Sequence, residues 1–238
     1  MRDTFLFDLD GTLLPMDFKE FMTHYFQAIG TFFKDKIDPI ELMNKINETT
    51  EYTIKTNDGR TNEDIFVEHF NKINSSTHEF DMDGFYTFYN STFEHCKKTT
   101  WQDEDMIKSV HLLKEKGYRV AVATNPLLPL VSNHHRIRWA GLKPEDFEYI
   151  SSFEGNKYCK PFVEFYSEVC NFIKKDPKEC FMVGNDASED LVAAKLGIET
   201  YLITDCYMDS HKLGITPNHQ GTYKDFYAFV RQLDTIKK

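Results

Sequence analysis

Asp8 and Asp10 flank Leu9 directly after the run Thr4-Phe5-Leu6-Phe7, and Gly11-Thr12 follows. An apolar run of that length ending at a glycine predicts a buried parallel strand that stops in a turn. Side chains alternate along a strand, so the two carboxylates point the same way. They fall at the C-terminal end of the strand, where open α/β sheets place ligands. Two adjacent carboxylates repel unless a cation or a shared proton relieves them. Both remedies serve phosphate chemistry. One carboxylate can attack phosphorus and carry the phosphoryl group. The other can protonate the leaving oxygen and later deprotonate water. Asp8 and Asp10 suit those roles in that order. The plainer alternative is that they end a strand and cap a turn.

Three further polar groups stand where a strand ends or a helix begins. Thr124-Asn125-Pro126 follows the buried strand pattern Tyr118 to Ala123. Lys160-Pro161 precedes the helical pattern Phe162, Phe165, Tyr166, Val169, with Pro161 expected in the first helical turn. Asn185-Asp186-Ala187-Ser188-Glu189-Asp190 follows the strand pattern Cys180 to Gly184. On their own, Thr124 reads as a turn residue, Lys160 as a solvated lysine, and the acids as helix caps.

Taken in order, these segments resemble the four motifs of the haloacid dehalogenase superfamily, whose first motif is Asp-x-Asp-Gly-Thr after an apolar strand. The resemblance implies that Asp8 is the nucleophile and Asp10 the general acid and base. Thr124, with Asn125 beside it, would bind phosphoryl oxygen. Lys160 would neutralise the nucleophile and the transferring oxygens, with Lys157 a weaker candidate. The fourth motif departs from the usual Gly-Asp, because Asn185 follows Gly184. Asp186 is aligned with the metal-ligating acid, Asn185 and Asp190 are placed behind it, and the choice among the three stays open. The implied cofactor is Mg²⁺, which takes one or two carboxylates and keeps waters and a substrate phosphate. Asp8, the Asp10 carbonyl and Asp186 would be the protein's share.

Asp10 discriminates within the superfamily. Dehalogenases lack an acid two places after the nucleophile and phosphonate hydrolases typically carry alanine there. A phosphatase acting on a small phosphate monoester is therefore the leading reading. A phosphomutase of the β-phosphoglucomutase type and a catalytically silent phosphate- or metal-binding module are the alternatives. A receiver-like module is disfavoured by the long insertion.

The 238 residues carry a net charge of −10, which argues against nucleic-acid binding and makes a cation useful for an anionic substrate. Hydrophobic content of 41% and charged content of 28% are those of an ordinary globular chain. The five cysteines show no zinc or Cys-x-x-Cys spacing. With a first strand so close to Met1 and no long apolar run, a reduced, cytoplasmic protein without membrane span is expected. The pattern says nothing of oligomeric state.

The elements that must position these groups read as α/β. More than a hundred residues separate Asp10 from Thr124, too many for one crossover helix. The intervening stretch shows helical stripes: Phe18 to Phe33 after Asp17, Ile40 to Ile54 after Asp38-Pro39, Ile65 to Ile73 after Thr61, and Phe85 to Phe93. Their aromatics read as the inside of a small bundle, and His69 and His95 as packing or surface residues. A helical cap inserted over residues 15–100 is expected, with residues 1–14 and 101–238 forming a doubly wound parallel core. Its connections fall at Leu14-Pro15-Met16 and Thr99-Thr100-Trp101, a hinge at the site. Arg60, in the loop Thr56 to Thr61, is the cap's candidate substrate ligand. Later elements are a helix from Asp103 to Gly117, one from Leu127 to Ala140, a short strand at Glu148 to Ser152, a helix from Asp190 to Leu196, a strand at Thr200 to Ile203 and a last helix over 224–233. The first strand should be central.

Overall fold

The computed structural model of the chain describes residues 1–74 and 82–236. Five parallel strands form one sheet: β1 (Thr4–Phe7), β2 (Arg119–Val122), β3 (Cys180–Gly184), β4 (Glu199–Ile203) and β5 (His219–Gly221), in the order β2-β1-β3-β4-β5. Thr4 is in register with Arg119 on one side and Cys180 on the other. All four residues of β1 are buried. Phe5 and Phe7 join the core that contains Tyr118, Phe181 and Phe226, while Leu6 joins a second core with Phe165, Val169 and Met182. This alternation is the signature of a sheet covered on both faces. The chain leaves β1 toward β2 on one side and later returns to β3 on the other. The end of β1 therefore sits at the switch point where such sheets bind ligands.

The described residues form eight α-helices: α1 (Phe18–Phe33), α2 (Pro39–Lys55), α3 (Asn62–Ile73), α4 (Met82–Tyr89), α5 (Glu104–Glu115), α6 (Leu130–Trp139), α7 (Val163–Ile173) and α8 (Tyr223–Gln232). Asp17, Asp38, Thr61 and Asp103 cap α1, α2, α3 and α5 by accepting backbone N–H bonds. The helices α1 to α4 and a 3₁₀ run, Thr92–Thr99, all lie between β1 and β2. The chain enters and leaves this insert side by side: Met16 and Thr100 form an antiparallel bridge, and Trp101 N–H donates to the Pro15 carbonyl (3.0 Å). The insert also rests on the loop 151–156. Asn62 N–H donates to the Asn156 carbonyl (2.9 Å) and Glu63 N–H to the Phe153 carbonyl (3.1 Å). Tyr86 reaches Glu154 (3.2 Å), whose carboxylate also accepts the first N–H of α6, from Leu130.

Several expectations shift. β1 is interior but second in order, and β3 holds the middle. Pro161 lies before α7, which starts at Val163 with Phe162 as its N-cap. α6 starts after Pro129, because Pro126 and Pro129 hold the preceding stretch extended or turned. Leu191–Leu196 is a 3₁₀ run and not an α-helix. The fourth stripe breaks at Asn90-Ser91, leaving Phe93 on the 3₁₀ run. Glu148 to Ser152 contributes a single bridge, Val122 to Ile150. β5 was not anticipated, since His219-Gln220-Gly221 has no apolar pattern. His69 stacks on Tyr52, with ring centroids 3.9 Å apart, and His95 is exposed, as packing and surface roles require. Among the described residues no helix is long and apolar enough to cross a membrane.

Candidate active site

Lys160 organises the site. It is 1% exposed, and its ammonium donates to Asp8 Oδ1 (2.8 Å) and to Asp190 Oδ1 (2.6 Å). Burial alone would push this ammonium down, but the Asp190 and Asp8 carboxylates outweigh it and hold Lys160 firmly protonated. Asp8 reaches its place because its own N–H donates to the Val183 carbonyl (2.9 Å), carrying the β1–β3 pairing one residue beyond the strand. Asp190 reaches its place because position 184 has no side chain. A Cβ there would lie 2.0 Å from Asp190 Oδ2. That same oxygen accepts the Asp186 N–H (3.0 Å), so the acidic loop is folded back on the end of β3.

The turn after Asp10 is fixed in the same manner. Gly11 has φ +82°, and a Cβ there would lie 2.4 Å from Asn185 Nδ2. Asn185 accepts from the Thr12 hydroxyl (3.0 Å) and donates to the Cys206 carbonyl (2.7 Å). Asp186 accepts N–H bonds at Oδ1 from Ser188 (2.8 Å) and Glu189 (3.1 Å), and at Oδ2 the Ser210 hydroxyl. Asp186 thus closes the turn before Leu191–Leu196, whereas Asp190, the N-cap of that run, makes no side-chain capping bond. Thr124 is buried, and its carbonyl accepts the Ser151 hydroxyl (2.6 Å). Asn125 accepts the Lys160 N–H (3.3 Å) and faces the Glu189 carboxylate (3.3 Å).

Asp8, Asp10, Thr124, Asn125, Asn185, Asp186 and Asp190 line one cavity of about 310 Å³. The sequence-derived set therefore converges, apart from Arg60. That side chain is exposed, bound to Asp58 (2.7 Å) and Glu68, and does not line the cavity. A guanidinium beside two acids in an exposed turn is already satisfied, which corrects its assignment as a substrate ligand. Lys157 is likewise exposed and outside the cavity.

Three lining groups escaped the sequence reading. Arg136, on α6, is 2% exposed and bonded to Asp10 Oδ2 and Asn133 Oδ1. The sequence does not single it out: Arg136 and Arg138 flank Ile137 on the same short helix, and Arg138 stays exposed while Arg136 turns inward. Glu189 and Ser210 complete the acidic loop's surroundings. Burial holds the Asp10 carboxyl above its ordinary range; Arg136 opposes this and the charge on Asp8 adds to it. Asp10 Oδ1 is buried with no hydrogen-bond partner, the atom on which a retained proton can sit. Burial pushes Glu189 up to about 7, against the pull of Lys160 and with the repulsion of Asp186 and Asp8.

The donors near Asp8 fit a hard divalent cation. Asp8 Oδ2 and the Asp10 carbonyl accept no hydrogen bond among the described residues, and Asp186 and Asn185 add further oxygens. All are oxygen ligands of the kind Mg²⁺ prefers.

Comparison with known proteins agrees with this geometry. Solved structures of similar fold include a HAD phosphatase from Thermococcus onnurineus (16% identity, 99% of this chain and 100% of that one, TM-score 0.64). The putative HAD-hydrolase YfnB from Bacillus subtilis, bound to magnesium, aligns at 17% identity over 96% of this chain and 98% of its own (TM-score 0.57). The L-2-haloacid dehalogenase from Xanthobacter autotrophicus aligns at 15% identity over 98% and 100% (TM-score 0.59). No curated protein sequence matches the chain at a significant level. The family model for haloacid dehalogenase-like hydrolases matches residues 2–197, a span that contains every lining residue named above except Ser210. With that match and the convergence of its four motifs on one buried lysine, the chain belongs to the haloacid dehalogenase-like hydrolase family and is a hydrolase.

Proposed function

We propose that the protein is a Mg²⁺-dependent phosphatase that hydrolyses a small phosphate monoester through an aspartyl phosphate on Asp8. The observation that carries this reading is the buried Lys160 ammonium held between Asp8 and Asp190 at the end of β1. The lysine pairs directly with Asp8 and adds a preorganised positive charge where phosphoryl oxygens would lie.

An Asp8 carboxylate oxygen attacks phosphorus in line with the leaving oxygen, and the P–O bond to the leaving group breaks. The leaving alkoxide takes a proton from Asp10, whose carboxyl is predisposed to hold one by its burial. Thr124 and Asn125 hold the transferred phosphoryl group. Asp10, now ionised and steadied by Arg136, removes a proton from water as that water attacks the phosphorus of the aspartyl phosphate. The bond from Asp8 to phosphorus breaks, which restores the Asp8 carboxylate and releases inorganic phosphate. Mg²⁺, held by Asp8, the Asp10 carbonyl and Asp186 or Asn185, would supply charge neutralisation for the incoming phosphate. The magnesium bound in YfnB supports the assignment of this metal. The helical insert over residues 15–100 is the cap that excludes water during these steps, with its hinge at the Met16–Thr100 bridge.

The test is phosphate release from p-nitrophenyl phosphate with and without Mg²⁺, together with acid-quenched trapping of a phosphorylated enzyme. Mg²⁺-dependent release and a phosphate adduct that maps to Asp8 are expected. Release that persists in Asp8→Asn, or an adduct on another residue, would refute the mechanism.

A further inference from the structure

We infer that the alcohol released from the phosphate is apolar and uncharged, an alkyl or aryl group rather than a sugar, a carboxylate or a second phosphate. The inference deepens the phosphatase reading and rests on it for turnover, though not for binding. It comes from the apolar lining of the cavity that Asp8 and Asp10 share. The insert contributes Phe21, Met22, Phe26, Ile46, Phe66 and Phe85 to that wall, and the core adds Leu127, Leu128 and Phe153. None of the insert's lysines lines the cavity, nor does Arg60. The seven residues 75–81 contain no lysine or arginine either.

The charges that do face the space are acidic: Asp8, Asp10, Asp186, Glu189 and Asp190. The cation among the lining side chains is Arg136, already bonded to Asp10 and Asn133. An anionic leaving group would lose its water there and find acids in place of a partner. A sugar would need several donors and acceptors. The wall offers Tyr25 and Tyr89, whose hydroxyls bond each other (2.8 Å), and Asn47 and Thr50 on α2, with Asn47 exposed. A volume of about 310 Å³ lies at the small end of ligand pockets, so the group is compact. The same absence of cations leaves a bisphosphate without a second docking point, which sets the phosphomutase alternative aside.

The experiment compares primary alkyl monophosphates, whose leaving oxygens are alike, with phosphoglycolate and glycerol 3-phosphate under Mg²⁺. kcat/KM is expected to rise about fourfold for each added methylene until the cavity fills. Hexyl phosphate should then exceed phosphoglycolate by on the order of 100-fold. Phosphoglycolate or glycerol 3-phosphate equalling hexyl phosphate would overturn the inference and leave the phosphatase reading intact. Met22→Lys should shrink the hexyl-to-phosphoglycolate ratio at least about tenfold, one charge pairing being worth that much at a desolvated site. An unchanged ratio would show that this wall does not touch the leaving group. If no monoester is turned over, the phosphatase reading fails, and calorimetric titration with hydrolysis-resistant phosphonates still decides the ligand. Tighter binding of hexylphosphonate than of 3-phosphonopropionate sustains the inference, and the reverse order overturns it.

Discussion

On the sheet side of the cavity, Lys160, Asp8, Asp190, Asp186 and Asn185 are held by directed hydrogen bonds and by two glycines that no other residue could replace without collision. On the helical side, the lining residues Phe21, Tyr25 and Tyr89 pack with Phe88 and Phe93 mainly edge to face, with centroids 5.2 to 6.3 Å apart. The first wall tolerates almost no change in identity, because each polar group there is another's partner and an unpaired buried charge is costly. The second wall is built from apolar volume, which substitutes more freely as long as size is kept. The contrast separates two tasks. Under the proposed mechanism, bond breaking falls to side chains locked by their neighbours, and choice of substrate to side chains that can be exchanged.

The comparison is broken most severely at Asp8. Asp8→Asn removes the nucleophile and should lower phosphate release by at least about 10⁴-fold, as loss of other nucleophiles does. Steady-state assays showing ordinary turnover would remove Asp8 from that role. Asp10→Asn should cost about 10²- to 10⁴-fold on alkyl phosphates and distinctly less on p-nitrophenyl phosphate, whose leaving group needs little protonation. Equal losses on the two substrates would argue that Asp10 does not protonate the leaving oxygen. Arg136→Leu strands a buried carboxylate and should destabilise the fold by about 3–5 kcal/mol in urea titration. Combining it with Asp10→Asn should return part of that loss, and strict additivity would mean that the ion pair is not what holds Arg136 in place.

The smallest effect sharpens the comparison through pH. Glu189 holds its proton more tightly when folded, with a pKa of about 7, than in an unfolded chain. Its contribution is therefore fully present below its unfolded value and is lost as pH rises through about 7. Glu189→Gln does not titrate. In metal-free protein its thermal midpoint should gain roughly 5 °C on wild type between pH 5 and pH 8. A gap that does not change with pH would show Glu189 to be an ordinary solvated acid.

The sheet-side wall was largely legible in the sequence. Its members end strands, and strands announce themselves by short apolar runs, so Asp8, Thr124 and Asn185 could be placed before any coordinates. Lys160 was legible through order along the chain, not through its own context, since Pro161 does not begin α7. Arg136 was not found because a helix of ten residues with a weakly amphipathic pattern gives no sign of which side chain turns inward. Arg60 was misjudged for the converse reason: a polar turn with a cation suggests a ligand site, and only distance reveals that Asp58 and Glu68 already occupy it. The aromatic stripes of the insert were plain, but a stripe shows that a face is covered and not what it covers. Hence Phe21 reads as bundle core and is also cavity wall.

The loop 151–156 joins these two walls. Its Ser151 hydroxyl fastens Thr124, and the Ser151 carbonyl accepts from Asn133 (2.7 Å), the residue that braces Arg136 against Asp10. Two and five residues later its carbonyls seat the start of α3, while Glu154 grips Tyr86. A lever has one fulcrum, and under the proposed mechanism the swing of the aromatic roof and the aim of the acid that would donate the proton share the same six residues. Loosening that fulcrum would let substrate in more easily and, by the same displacement, misdirect the proton it needs.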